Sequence, residues 1–239
     1  MDTLRADYDA ASGGRPAVGL IVLQSDEVLE RELAARLPPG IERFHASIPN
    51  ATDVTAETLR AMERELPAAA ALLPAGVAYD VVAYGCTSAS TVIGEARVAE
   101  LVGTVVPNAA VTNPLTAVKA RVRNRGASRI ALLTPYSLDL SRAILEHLEG
   151  AGLEVVRAAS FDERDDSRVA RIAERSTLRA MVDLGAQMGE IDSKAEPEKF
   201  AQFQSEFQAE TQIFKMFQEA ISTMIKSIGE GMSSVARKS

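Results

Sequence analysis

The chain has 239 residues, 46% apolar and 25% charged, with 15 Gly and 10 Pro, enough for one or two globular domains with a buried core. Lys+Arg 26 against Asp+Glu 33 gives a net charge of -7, which argues against a nucleic-acid groove or a polybasic membrane surface as the main partner. A single cysteine excludes an internal disulfide framework, and with only two His beside it a Cys/His zinc site has too few ligands.

No apolar run reaches the roughly 20 residues of a membrane-spanning helix, and residues 1–16 read as a flexible, acidic N-terminus rather than a signal peptide. The expectation is a cytoplasmic protein that is not exported. From Ala17 the pattern is regular. Strands are predicted at Ala17–Leu23, Ile41–Ser47, Tyr79–Tyr84, Arg129–Leu133 and Leu153–Arg157, where apolar residues run together or alternate. Between them Asp26–Leu37, Thr55–Leu72, Ser90–Leu101, Leu115–Arg125 and Leu138–Gly150 carry apolar residues at helical spacing. Pro38-Pro39-Gly40 and Glu149-Gly150-Ala151-Gly152 supply stops. Strands and helices alternating through short connections imply an α/β fold with a parallel sheet covered on both faces.

Composition changes near Gln187. Of the Arg residues, 19 of 20 precede that point, whereas five of six Lys, five of seven Phe and six of seven Gln fall at or after it. Beyond it, Phe200, Phe203, Phe207, Phe214, Phe217, Ile221, Met224, Ile228 and Val235 recur at three-four spacing. The expected division is residues 17–118 for a first lobe, 119–187 for a partial second lobe and 188–239 for one long amphipathic helix. Such a helix wants a hydrophobic partner, either the rest of the chain or another copy, so a homo-oligomer is expected through it.

In open parallel sheets ligands bind beyond the carboxyl ends of the strands. Three strand-to-helix turns there are rich in small polar groups: Gln24-Ser25-Asp26-Glu27, Tyr84-Gly85-Cys86-Thr87-Ser88-Ala89-Ser90 and Thr134-Pro135-Tyr136-Ser137. None is a phosphate loop, a dinucleotide fingerprint, a nucleophile elbow or an HExxH motif. Cys86 ends a strand and precedes a helix, where backbone N–H groups lower a thiol's pKa and make it a base or nucleophile; an inert buried cysteine is the other reading. Thr87, Ser88 and Ser90 add donors suited to a carboxylate. His45 and His147 read as tolerated surface or core residues, Tyr136 as a donor into the crevice or a packed loop tyrosine, and Asp162–Asp166 as a solvated loop and helix start.

Ser25-Asp26 with Glu30, the run Val82–Ser90, Val111-Thr112-Asn113-Pro114 and Leu132–Tyr136 together resemble the Asp/Glu racemase superfamily, particularly its maleate isomerase and arylmalonate decarboxylase branch, over about residues 17–186. The resemblance implies two Rossmann-like lobes that clamp a small carboxylate or dicarboxylate and work without metal or organic cofactor. It assigns Cys86 as the first-lobe thiol, Thr87 and Ser88 as carboxylate holders, Tyr136 as a donor from the second lobe, and Asp26 as the polar group at the substrate. The family's second-lobe cysteine has no counterpart, so the second lobe is expected to be truncated. One thiol suffices for nucleophilic addition but not for two-faced proton transfer, which ranks cis–trans isomerisation above racemisation, with decarboxylation third. The tail, ending Ser234-Val235-Ala236-Arg237-Lys238-Ser239, resembles C-terminal helices of type III secretion rod or needle subunits in composition. That implies the alternative of a catalytically inactive scaffold assembled through its tail.

Overall fold

The computed structural model describes residues 3–8 and 14–192. Its centre is β1 (Ala17–Leu23), a continuous apolar run buried along nearly its whole length because helices cover both faces of its sheet. β2 (Glu42–Ile48) and β3 (Val81–Tyr84) flank it in parallel, and β4 (Ala110–Thr112) joins outside β3, giving the order β2-β1-β3-β4. Gly19 stands opposite Phe44 on one side and Val82 on the other.

Alternation along β1 sorts its side chains into two cores. Ala17 and Ile21 meet Leu59, Met62, Leu66 and Ala69 of α2 (Ala56–Ala70). Val18, Leu20 and Val22 meet Leu29 and Leu33 of α1 (Leu29–Arg36). Full burial of a Val, Leu, Ile or Met side chain contributes about 1.5–3 kcal/mol. Thr55 starts α2 by a reciprocal capping box with Thr58. At α1, Asp26 Oδ1 accepts the N–H groups of Val28 (2.9 Å) and Leu29 (2.7 Å), so the helix begins at Leu29 rather than at Asp26.

The helix expected over Ser90–Leu101 is two: α3 (Thr87–Ile93) and α4 (Glu95–Gly103), divided at Gly94, whose φ of 93° only glycine adopts freely. β4 was not anticipated. From it Asn113 caps α5 (Pro114–Asn124), accepting the N–H of Thr116 at 3.1 Å. α5 belongs to both lobes: Ala117 packs with the β1 core, while Leu115 and Val118 pack with Leu132, Ile144, Leu148 and Leu153.

Those last residues form the second lobe's core. β5 (Arg129–Tyr136) and β6 (Glu154–Glu163) make a separate parallel sheet, linked by α6 (Leu138–Gly150), and both strands run further than expected. α7 (Asp166–Val169) and α8 (Glu174–Asp192) follow, α8 packing on β5 and β6. α8 runs without a break through the composition change at Gln187. The remainder of the expected Phe/Gln helix, 193–239, and its role in assembly lie outside the described residues, as does part of the expected flexible N-terminus. Among the described residues no helix is long and apolar enough to cross a membrane.

Among the contacts that tie the lobes together are a strand bridge and a polar cluster between helices. An antiparallel bridge joins Asp53 to Asp165, with the Val54 N–H donating to the Arg164 carbonyl and the Asp166 N–H to the Thr52 carbonyl, both at 2.9 Å. Glu95 at the start of α4 accepts from Thr116 and Lys119 of α5 and lies 2.7 Å from His147 Nε2 of α6. His147 is therefore an interhelical contact, while His45 faces Glu30 on the surface at 3.3 Å.

Candidate active site

The parallel topology gathers the carboxyl ends of β1, β2 and β3 at one edge, and the bridge between the lobes brings the end of β6 to meet them. At the end of β3, Gly85 donates its N–H to the Ile21 carbonyl at 2.8 Å and sets up the turn that presents Cys86. Cys86 is the N-cap of α3. Its Sγ accepts the Ala89 N–H at 3.4 Å and lies 3.5 Å from Ser88 Oγ. The Ser90 hydroxyl donates to the Cys86 carbonyl at 2.6 Å, which fixes the first turn from within.

The thiol is 3% exposed. The expectation that the helix end lowers its pKa is overturned by that burial: desolvation pushes the thiol up, the bonds from Ser88 and Ala89 offset only part, and the nearby Asp166 charge adds to the rise. Burial thus favours the neutral thiol over the thiolate at Cys86. Tyr136, at the end of β5, brings its phenol to the Thr87 and Ser88 side chains; burial pushes the phenol up and Cys86 adds to it. Thr87, Ser88, Cys86 and Tyr136 thus form one group built from both lobes.

Asp26 lies apart from that group in one respect, since its Oδ1 serves the start of α1. It is still close enough to repel Asp166 electrostatically. Sequence reasoning missed Asn50 and Asp166. Ser25 and Asn50 both donate to Asp166 Oδ2, Asn50 at 3.0 Å, and Asn50 also donates to Ser25 Oγ at 2.9 Å. Asn50 follows β2 and was findable by the strand-end rule applied to a fourth turn. Asp166 lay within the charged run expected to be solvated; its neighbour Asp165 does start a helix, capping α7 through the N–H groups of Ser167 and Arg168. Asp166 itself is drawn inward by the bridge. Burial pushes its carboxyl up, Ser25 and Asn50 counter that, and Asp26 and Asp165 reinforce it.

Cys86, Ser88, Asn50, Asp53, Asp166 and Met62 line a small cleft between the lobes. It combines a thiol, hydroxyl donors and a carboxyl within one partly enclosed space, the equipment for adding sulfur to an activated carbon and moving a proton.

The chain is 31% identical over 168 residues to a maleate isomerase of Geobacillus stearothermophilus, a match taking in 64% of this chain and 66% of that relative's length. A maleate cis-trans isomerase of Nocardia farcinica, solved as a variant with a covalently bound succinylcysteine intermediate, superposes with a TM-score of 0.61 at 28% identity, over 72% of this chain and 74% of that one. The maleate isomerase Iso of Pseudomonas putida S16, solved with maleate, gives a TM-score of 0.64 at 23% identity over 70% and 72% of the two chains, a likeness of fold. No family model matches the chain.

Proposed function

This chain belongs to the Asp/Glu racemase superfamily, in its maleate isomerase-like branch, and from that premise we propose that it isomerises a small cis-dicarboxylate, maleate first among them, to the trans form with Cys86 as nucleophile. The Cys86 thiolate adds to one alkene carbon, forming a C–S bond. The π electron pair moves to the neighbouring carbon, beside its carboxylate, and that carbon takes a proton. The central bond is now single and turns. Loss of the proton and departure of sulfur then restore the alkene as fumarate and return the thiolate. Nothing is oxidised or reduced and no atom is retained, so the cycle calls on neither metal nor organic cofactor.

Thr87, Ser88 and Tyr136 are proposed to hold the carboxylates, and Asp26 to border the substrate. Carboxylate-bound hydroxyl donors stabilise the charge that grows during addition, each worth about 1.5–3 kcal/mol. The observation that carries the reading is the placement of the chain's one cysteine at a strand end, in the inter-lobe cleft, beside Ser88. The succinylcysteine named for the Nocardia relative is the adduct this route generates from maleate. A reducing compartment such as the cytoplasm suits a free catalytic thiol.

Proton NMR in deuterated buffer tests the proposal, with maleate, aspartate, glutamate and an arylmalonate offered in turn to the protein and to Cys86→Ala. Maleate converts to fumarate with the unaltered protein alone. Deuterium at the α-carbon of an amino acid, with maleate untouched, would replace isomerisation by racemase chemistry.

A further inference from the structure

We propose that Asp166 is the proton partner of Cys86: its carboxylate takes the hydrogen of the thiol and delivers it to the substrate carbon adjacent to the one that sulfur attacks. The inference rests on the reaction proposed above and assigns it a second catalytic group. That reaction needs a proton source and sink next to the sulfur, and Asp166 shares the cleft wall with Cys86.

Five other ionisable groups stand near the Asp166 carboxyl, the thiol or the cleft they line. Tyr84, at the end of β3, is buried beside Cys86, and burial pushes its phenol up. Asp165, on its own element, caps α7 through Oδ1. Asp26, from the turn after β1, caps α1. Asp53, from the turn after β2, is exposed and bridges to Asp165. The phenol of Tyr136, from β5, is pushed up by burial, away from the range where it exchanges protons readily. Among the described residues Asp166 alone combines a partly buried carboxyl, a place on the cleft wall with Cys86, and an electrostatic influence on the thiol. Its placement is built rather than accidental. The backbone N–H is held by the Thr52 carbonyl, and both side-chain donors, Ser25 and Asn50, engage Oδ2, so that neither bond uses Oδ1.

Proximity of two groups that each lose a proton to become negative makes one shared charge cheaper than two. Thiol with carboxylate, and thiolate with carboxylic acid, are then the two forms of a pair, and interconverting them moves one proton across the cleft that both groups line. In the forward step the acid form of Asp166 protonates the carbon while the thiolate forms the C–S bond, leaving a carboxylate. After rotation that carboxylate removes a proton from the same carbon, the C–H electron pair rebuilds the alkene, and the C–S pair returns to sulfur. The pair ends as it began.

The test uses the full chain with Asp166→Asn, which keeps shape and an acceptor for Ser25 and Asn50, and Asp166→Glu, which keeps the acid. Two readouts are taken: the pH dependence of Cys86 alkylation by iodoacetamide, and conversion of maleate to fumarate. Asp166→Asn removes a negative charge beside the thiol, so its alkylation profile moves to lower pH while isomerisation slows about 100-fold or more. Asp166→Glu recovers part of the rate. An alkylation profile unmoved by Asp166→Asn overturns the pairing whatever the substrate is. Isomerisation at the original rate in Asp166→Asn overturns proton delivery and leaves the isomerase reading intact. Maleate untouched by the unaltered protein, with a profile that does move, counts against the isomerase reading and supports the pairing.

Discussion

Gly85 is the residue on which the placement of the thiol depends, and Gly85→Ala is expected to destabilise the protein by about 1–3 kcal/mol through overpacking. A Cβ at this position would lie 2.2 Å from Leu29 Cδ2 and 3.4 Å from the Ile21 carbonyl oxygen. Ordinary carbon contact is about 3.5–4.0 Å, so the Leu29 methyl has to retreat by more than about 1 Å. Leu29 is 5% exposed and packed against the β1 core, so it moves only by leaving its rotamer or displacing neighbours. The backbone at Gly85 is pinned by its N–H bond to Ile21. Leu29→Ala empties the space at its own cost of about 2–5 kcal/mol. The double variant should therefore cost less than the sum of the two single ones, by about 1–2 kcal/mol. Urea unfolding of the four proteins, followed by circular dichroism, measures the cycle. Strict additivity would refute the steric argument.

Two further predictions concern the framework. Burial alone pushes the Glu95 carboxyl up, yet Lys119, Thr116 and His147 together hold it below its ordinary 4.5. A carboxyl depressed in the folded state stabilises the fold above that ordinary value and loses the contribution as pH falls through the folded one. Glu95→Gln should thus cost about 1.5–3 kcal/mol at neutral pH, with the gap to the unaltered protein closing in acid; a gap independent of pH would contradict the assignment. Thr112 is fully buried and its Oγ1 has no hydrogen-bond partner among the described residues. Thr112→Val should raise stability by about 1 kcal/mol, read as a higher Tm, and a lower Tm would reveal a partner for the hydroxyl.

What could be read from residues alone follows what is local. The run Ala17–Leu23 was legible to the residue because a strand covered on both faces is apolar throughout. β4 was not, since three residues at a sheet edge, two half-buried and one buried, carry too little periodicity to stand out from a loop. Ser90–Leu101 kept helical spacing across Gly94, and only the backbone reveals that the chain turns there. At the site, Cys86, Thr87, Ser88 and Tyr136 were visible because each sits at a strand end, a position defined by sequence order. Asp166 was hidden because its burial comes from pairing Asp53 with Asp165 across the two lobes, a contact between residues far apart in the chain.

The helix-end argument for Cys86 failed for a tertiary reason too, since the residue packs into the core around β1 and α2. Burial and a carboxyl neighbour outweigh one N–H bond and two hydroxyls, those of Ser88 and Tyr84. A raised resting pKa does not oppose the proposed chemistry, since a less acidic thiol gives a more nucleophilic thiolate once its proton is taken.

The central claim is that carbon and the Cys86 sulfur are joined during turnover. Acid-quenching the protein while it is turning over maleate, followed by mass measurement of the intact chain and its peptides, tests this most directly. The account predicts one added maleate equivalent, carried by the Cys86 peptide and absent from Cys86→Ala. Fumarate formed with no adduct, and formed equally by Cys86→Ala, would contradict it.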